Sequence, residues 1–279
     1  MTRLAPLFLL GLGGCSRSLA TPDAATPDAG TTPGICDGSP DLRLAFQVSG
    51  GGPTAPGETM LSENGWRFLL VDGTCQAWVL KDSSGPLVRT VLSPDDEAQL
   101  ATALELSAWN GITPPPGGCP DAPGTSFRFR DQRLSGVPCG ADPASAWAQL
   151  NTAADAQLDR LAASGTAWAG DLRYVVLRES SPNDPRPPVA WPLATPLATI
   201  VHDLNQGSGY RRGDSLRATG DDASKLRAIR TTAAGASSTY GVVYDFTRVS
   251  DAEGATYQLY VRDALPFEQD DGLVPPGVF

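Results

Sequence analysis

Frequent glycine and proline residues limit how long any regular element of this chain can be. The chain has 279 residues, of which 30 are glycine and 25 are proline. Proline removes a backbone donor and glycine weakens the interior of a helix or strand, so such a chain folds into short elements joined by many turns. The pattern disfavours a helical bundle. It predicts an α+β fold, with antiparallel β-sheet and hairpins, a few packed helices and a disordered segment in front.

The charge balance limits which classes of molecule the chain can bind. The formal net charge is -10 at pH 7, from 21 lysine and arginine residues against 31 aspartate and glutamate residues. Binding to a nucleic-acid backbone depends on a surplus of cationic side chains, which this chain lacks. The sequence therefore predicts no nucleic-acid partner.

A short apolar segment opens the chain. Arg3 precedes an apolar run that ends at Leu12 and is interrupted by Pro6, and small residues follow it. A membrane-spanning helix needs about twenty apolar residues, so this run is too short to be an ordinary anchor. A basic residue, an apolar run and small residues are typical of an export signal, and residues 1–14 are predicted to be a signal peptide.

The four residues Leu12-Gly13-Gly14-Cys15 resemble the lipobox of bacterial lipoprotein precursors. The resemblance implies cleavage before Cys15 and acylation of its thiol, which gives the chain a membrane partner through the lipid. Several acyl chains provide stable anchoring, whereas one chain binds only marginally. Ser16 follows the cysteine where an aspartate would favour the inner membrane. We therefore expect the outer membrane, with the protein facing the periplasm or the cell surface.

Residues 15–34 combine the lipidated cysteine with a segment rich in proline, aspartate and alanine. The near-repeat Thr21-Pro22-Asp23-Ala24 and Thr26-Pro27-Asp28-Ala29 lies within it. Segments of this composition stay extended and solvated, so we predict a disordered tether. Beyond the lipobox, the chain is similar to envelope lipoproteins of Gram-negative bacteria only in composition and in a Cys-Asp-Gly-Ser start after the tether. No functional residue carries over from that likeness.

Four further cysteines are predicted to form two disulfides, because an even count in an exported chain indicates an oxidised framework. Three connectivities are possible. We favour Cys36–Cys75 and Cys119–Cys139, because each pair flanks a candidate pair of strands. A zinc site with four thiolates is the alternative, but the sequence contains no C-x-x-C pair.

Proline-rich residues 180–192 suggest a linker between an α+β domain at 35–179 and residues 193–279. The second part is either a smaller α+β domain or a continuation of the first. Alternation and turn signals predict strands at 42–48, 66–71, 75–80, 87–92, 172–177, 239–249 and 256–262, and a further strand or hairpin around residues 127–134.

Capping signals predict four helices. The first begins after Ser93, and the longest runs from Asp142-Pro143 to about Ser164. A third begins at Leu197, whose apolar spacing continues to Leu204, and a fourth covers 221–231. The longest helix carries a stripe expected to be core: Trp147, Leu150, Ala154, Leu158 and Leu161.

The chemical inventory offers no assembled catalytic set. The single histidine, His202, is expected on the polar side of the third helix, and no Walker A loop, dinucleotide fingerprint or G-x-S-x-G elbow occurs. Asp37-Gly38-Ser39-Pro40-Asp41 loosely resembles the start of a calcium loop but lacks the central glycine and the terminal glutamate. We therefore predict no metal, no cofactor and no named catalytic residue.

These observations favour a non-enzymatic envelope lipoprotein that binds a protein or glycan ligand or serves a structural role. The alternative is a carboxylate-dependent envelope hydrolase, for example one acting on glycan. Such an enzyme needs two acids that converge in a cleft, and the sequence singles out none.

Overall fold

A computed structural model describes the following residues: 34–49, 67–81, 86–115, 122–137, 140–179, 186–202, 215–232, 237–238, 243–244, 246–265 and 267–268. All of them belong to the compact unit Thr32–Phe279. Two main sheets and four helices in these ranges confirm the α+β fold class. No helix among the described residues has both the length and the apolar character needed to cross a membrane.

The first sheet has seven strands in the order β6-β5-β1-β2-β3-β4-β7, and every pairing in it is antiparallel. Its strands are β1 Leu42–Ser49, β2 Arg67–Asp72, β3 Gln76–Leu80, β4 Val88–Val91, β5 Gly124–Phe129, β6 Gln132–Gly136 and β7 Thr166–Ala167. Sequence neighbours mostly pair, as the hairpin signals predicted. The central strands β1, β2 and β3 are buried on both faces.

Two helices cover one face of this sheet. Helix α1 is Pro94–Ala103, and Ser93 caps it through a capping box in which the Ser93 hydroxyl accepts from the Asp96 N–H. Helix α2 is Ala146–Ser164, and its predicted apolar stripe is buried throughout. Leu44 and Phe46 of β1 lie in the same core cluster as this stripe, so the helices and the sheet enclose one core.

The second sheet draws strands from both sides of the proline-rich residues 180–192 and one short strand from within them. Its order is β10-β8-β15-β14-β9, and β11 also pairs with β8. The strands are β8 Leu172–Arg178, β9 Val189–Ala190, β10 Val201–His202, β11 Leu216–Ala218, β14 Thr247–Ser250 and β15 Thr256–Asp263. The β10–β8 and β14–β9 pairings are parallel and the others are antiparallel. Helix α4, Gly220–Thr232, packs its Leu226 against this sheet, while α3 spans only Leu197–Ile200.

A short third sheet pairs β12, Ser237–Ser238, with β13, Val243–Tyr244. The predicted strand 239–249 is thus divided. Of its residues, Val243–Tyr244 and Thr247–Ser250 are strands, and 239–242 and 245 lie outside the described residues.

The segment after β15 covers the outer face of the first sheet. Leu265 joins a core cluster with Leu70 and Trp78, and the Phe267 ring meets Trp78 edge-on at a centroid distance of 5.8 Å. The end of the second sheet therefore completes the core of the first.

Two helix predictions need correction. The longest helix begins at Ala146, not at Asp142, because Asp142 caps a turn by accepting from the Ala144 N–H and Ser145 caps the helix. The third helix ends at Ile200, because the backbone of Val201 and His202 pairs with β8. Sheet pairing there outweighs the helical spacing of the apolar side chains.

Candidate functional site

A pocket of about 150 Å³ opens where the end of α1 meets the first half of α2. The residues that line it are Ala103, Glu105, Ile112, Ala146, Gln149, Leu150 and Ala153. The four on α2 follow a spacing of three and four residues, so they share one helix face. Small alanine side chains leave the space open, and the buried side chains of Leu150 and Ile112 give it an apolar floor.

The rim of the pocket is shaped by the way α1 ends. The Glu105 N–H donates to the Thr102 carbonyl at 3.1 Å and the Leu106 N–H donates to the Ala101 carbonyl at 3.2 Å. Together with a left-handed backbone at Glu105, at φ 47°, these bonds form a Schellman motif. Leu106 and Ala101 are both buried, which supplies the apolar contact that accompanies the motif.

The side chain of Trp109 fixes the segment that follows α1. The Trp109 Nε1–H donates to the Leu104 carbonyl at 2.7 Å, and the Trp109 side chain is fully buried. A short 3₁₀ helix, Trp109–Gly111, leads directly to Ile112 at the pocket floor. The Glu105 backbone is therefore fixed on both sides by buried residues.

Glu105 is an exposed residue of the pocket lining. Within the described ranges, no hydrogen bond or ion pair engages its carboxylate, and it is the one acid among the lining residues. Gln149 is the other polar residue of the lining, and its amide nitrogen donates to the Ala144 carbonyl at 3.2 Å. The site thus combines an apolar floor with a single negative charge.

An ion pair fixes the two helices that form the pocket. Arg160 of α2 contacts the Asp96 carboxylate of α1 at 2.5 Å, and the Ser93 hydroxyl donates to the same carboxylate at 2.7 Å. The hydrogen bond from Ser93 and the pairing with Arg160 hold the pKa of Asp96 below its ordinary value. This carboxylate therefore stabilises the cap of α1 and the packing of α1 on α2.

Asp155, further along α2, pairs with Arg67 of the first sheet. Burial raises the pKa of Asp155, and Arg67 acts in the opposite direction. Its neighbour Asp159 pairs with Lys81 at 2.9 Å. Both ion pairs hold the helix against the sheet, so these two acids stabilise the fold.

A buried charge cluster joins the second sheet to the segment that covers the first. The Glu268 carboxylate lies 3.5 Å from Arg173 Nε and also contacts Arg262, and only 1% of the Arg173 and Glu268 side chains is exposed. Burial lowers the pKa of Arg173, while the nearby Glu268 opposes that shift. The cluster positions Phe267 and Leu265 on the first sheet.

The calcium-like segment binds a guanidinium of the chain itself. Arg43 Nε lies 2.9 Å from Asp37 Oδ2, and the Ser39 hydroxyl donates to Asp41 Oδ2 at 2.9 Å. The Ser39 N–H bond and Arg43 lower the pKa of Asp37. The segment packs on the β2–β3 turn so closely that a Cβ on Gly73 would lie 2.1 Å from Asp37 Oδ1. These contacts stabilise the β2–β3 turn.

The Cys36–Cys75 disulfide, one of the two favoured pairings, is present with a Cα–Cα distance of 5.0 Å. Glu97 lies against it and accepts from the Cys36 N–H at 2.9 Å. The two sulfurs and a carboxylate oxygen of Glu97 lie within 4.8 Å of one another, but disulfide sulfurs are not the thiolates that a metal requires. The group therefore fixes the start of the folded body, beside the fully buried Ile35.

Several sequence predictions fall outside the described residues. They concern the lipidation site Cys15 and the pair Cys119 and Cys139. His202 is described, but it lies in strand β10 opposite Leu177 instead of on the polar side of a helix. The structure does not bring it to the pocket.

Sequence reasoning did not single out Glu105. A helix that ends in a Schellman motif commonly has glycine at the left-handed position, and the sequence Leu104-Glu105-Leu106 carries no such signal. No family model, curated protein or solved structure matches this chain.

Proposed function

We propose that this chain is an envelope lipoprotein with a non-enzymatic binding role. Residues 1–14 are removed, Cys15 is acylated, and a proline-rich tether connects the lipid to the folded body. The lipobox-like sequence Leu12-Gly13-Gly14-Cys15 carries the proposal. The outer membrane is the proposed location, and a protein or glycan is the proposed partner.

The Cys36–Cys75 disulfide supports export. Disulfides persist in oxidising compartments such as the periplasm and are rare where thiols are kept reduced. The bond fastens the first residues of the body directly after the tether, next to the buried Ile35. A body that begins with a cross-link and a buried side chain suits a protein held at its N-terminal end.

The use of charge supports a binding role over hydrolysis. A glycan-acting hydrolase needs two converging carboxylates, whereas Asp96, Asp155 and Glu268 each pair with an arginine. The pocket between α1 and α2 presents one carboxylate on an apolar floor. Such a lining is suited to holding a ligand.

Metabolic labelling with palmitate in a Gram-negative host tests the anchor. The full chain should take up label and partition into detergent, and Cys15→Ser should lose both. Cys36→Ser is the matched control, because it replaces a cysteine of the folded body by serine and should leave labelling intact. Labelling that survives Cys15→Ser would refute the lipoprotein assignment.

A separate assay distinguishes the binding role from the hydrolase alternative. The Cys15→Ser protein, which lacks the proposed anchor, is incubated with envelope glycans and with ester and peptide substrates. No turnover is expected. Turnover that is lost on replacing a pair of carboxylates would instead support the hydrolase.

A further inference from the structure

We propose that the pocket between α1 and α2 binds a primary alkylammonium group, with Glu105 as its counter-charge. The proposal rests on the binding role proposed above and names the chemistry of the ligand. Its two sources are a lysine side chain of a partner protein and a free aliphatic amine.

The apolar part of the site fits an alkyl chain. The pocket has a volume of about 150 Å³. An alkyl chain that enters it excludes water from Leu150 and Ile112, which favours binding through the hydrophobic effect. The alanines at 103 and 153 keep the chain in contact with both helices.

The charged part of the site fits a cation at the end of that chain. Glu105 is exposed at the rim, and the described residues give its carboxylate no partner. Lysine-type groups lay their methylenes on apolar surface and keep the ammonium in water, which is the geometry that this floor and rim require. An anionic ligand would be repelled by Glu105 and by the net charge of -10.

The backbone conformation of Glu105 is an independent reason to assign it a role. A left-handed φ of 47° disfavours a residue with a side chain, and glycine adopts it without steric conflict. Local rules that a natural sequence breaks tend to mark functional positions. A glutamate at this position places its charge at the pocket mouth, where glycine would leave none.

Ligand-observed saturation-transfer NMR on the full chain in a non-ionic detergent tests the proposal. The probes are pentylamine, its neutral counterpart 1-pentanol, and Nα-acetyl-lysine N-methylamide. Pentylamine, which is protonated at neutral pH, should bind about two- to fivefold more tightly than pentanol. High salt should reduce this difference, because it screens the exposed carboxylate.

Three variants separate charge from shape. Glu105→Gln should bring pentylamine down to the affinity of pentanol, and Ala153→Leu should abolish binding of both probes by filling the pocket. Glu253→Gln is the matched control, because Glu253 is an exposed acid in the turn before β15 and should leave binding unchanged.

The outcomes decide both the proposal and the source of the ligand. Binding of the lysine derivative at least as tight as that of pentylamine assigns the site to a protein lysine, and binding of pentylamine alone assigns it to a free amine. Equal binding of amine and alcohol, unchanged binding in Glu105→Gln, or no binding of any probe would overturn the proposal. Palmitate labelling of the same chains reports the anchor separately, so failure of the pocket and failure of the lipoprotein assignment are distinguishable.

Discussion

Removing the Cys36–Cys75 disulfide should destabilise the folded body by about 4 kcal/mol. The bond closes a loop with a sequence separation of 39 residues. In the chain-entropy model, a loop of about 40 residues gives -2.1 - 1.5R ln n, or roughly -13 cal/mol/K, which is about 4 kcal/mol at 25 °C. For a folded unit of this size, that loss lowers the melting temperature by about 8–16 °C.

The assay is thermal and urea unfolding of the Cys36→Ser/Cys75→Ser chain beside the parent, both under non-reducing conditions. Cys75 has a left-handed backbone, at φ 67°, which a serine side chain tolerates poorly and glycine tolerates well. Cys36→Ser/Cys75→Gly should therefore recover about 0.5–1 kcal/mol of the loss. The two doubles share the lost cross-link and differ at position 75 in backbone strain and in the presence of the serine side chain.

An unfolding midpoint that differs from the parent by less than about 3 °C would refute the reasoning. It would mean that the loop between the cysteines is already constrained in the unfolded chain, or that the bond adds no native stability. Mass mapping of non-reduced peptides in the same samples checks that Cys36 and Cys75 are joined in the parent.

Two further predictions concern a buried charge and a strained backbone. Glu268→Gln should cost about 3–5 kcal/mol, because it removes the negative charge that Glu268 places beside the buried Arg173. In urea unfolding, the exposed Glu253→Gln should stay within about 0.5 kcal/mol of the parent, and a similarly small effect of Glu268→Gln would contradict the role of the cluster. Glu105→Gly should raise the unfolding free energy by about 0.5–1 kcal/mol by relieving the left-handed strain, whereas Glu105→Ala should give no gain. Equal stability of the glycine and alanine variants would show that no strain is stored there.

Local signals predicted the parts of the fold that depend on neighbours in sequence. The Ser93 cap and the turn between the predicted strands 66–71 and 75–80 rest on contacts within a few residues, and the apolar stripe of α2 follows from the helical spacing of its own residues. Asp72 Oδ1 accepts from the N–H groups of Thr74 and Gln76, so the turn is stabilised by the residues that signal it.

Tertiary pairing decided the parts that the sequence predicted wrongly. Leu197, Ile200 and Val201 have helical spacing, but Val201 is β-branched and pairs with Val176 of the distant strand β8. Strand β8 in turn pairs with β15, about eighty residues later in the chain. Periodicity carries no information about a partner at that separation, so the short helix was predicted too long.

The candidate site escaped prediction for a related reason. Glu105 lies between two buried leucines, a pattern that an ordinary helix or strand also shows. Its significance comes from three features that meet only in the folded chain: the left-handed backbone, the alanine-lined space against α2, and the missing charge partner among described residues. Because glycine would satisfy the helix end at lower conformational cost, the stability of Glu105→Gly and its binding of pentylamine should move in opposite directions. A Glu105→Gly variant that gains stability and still binds pentylamine would show that the strained backbone has no part in binding. It would refute the proposed role of Glu105.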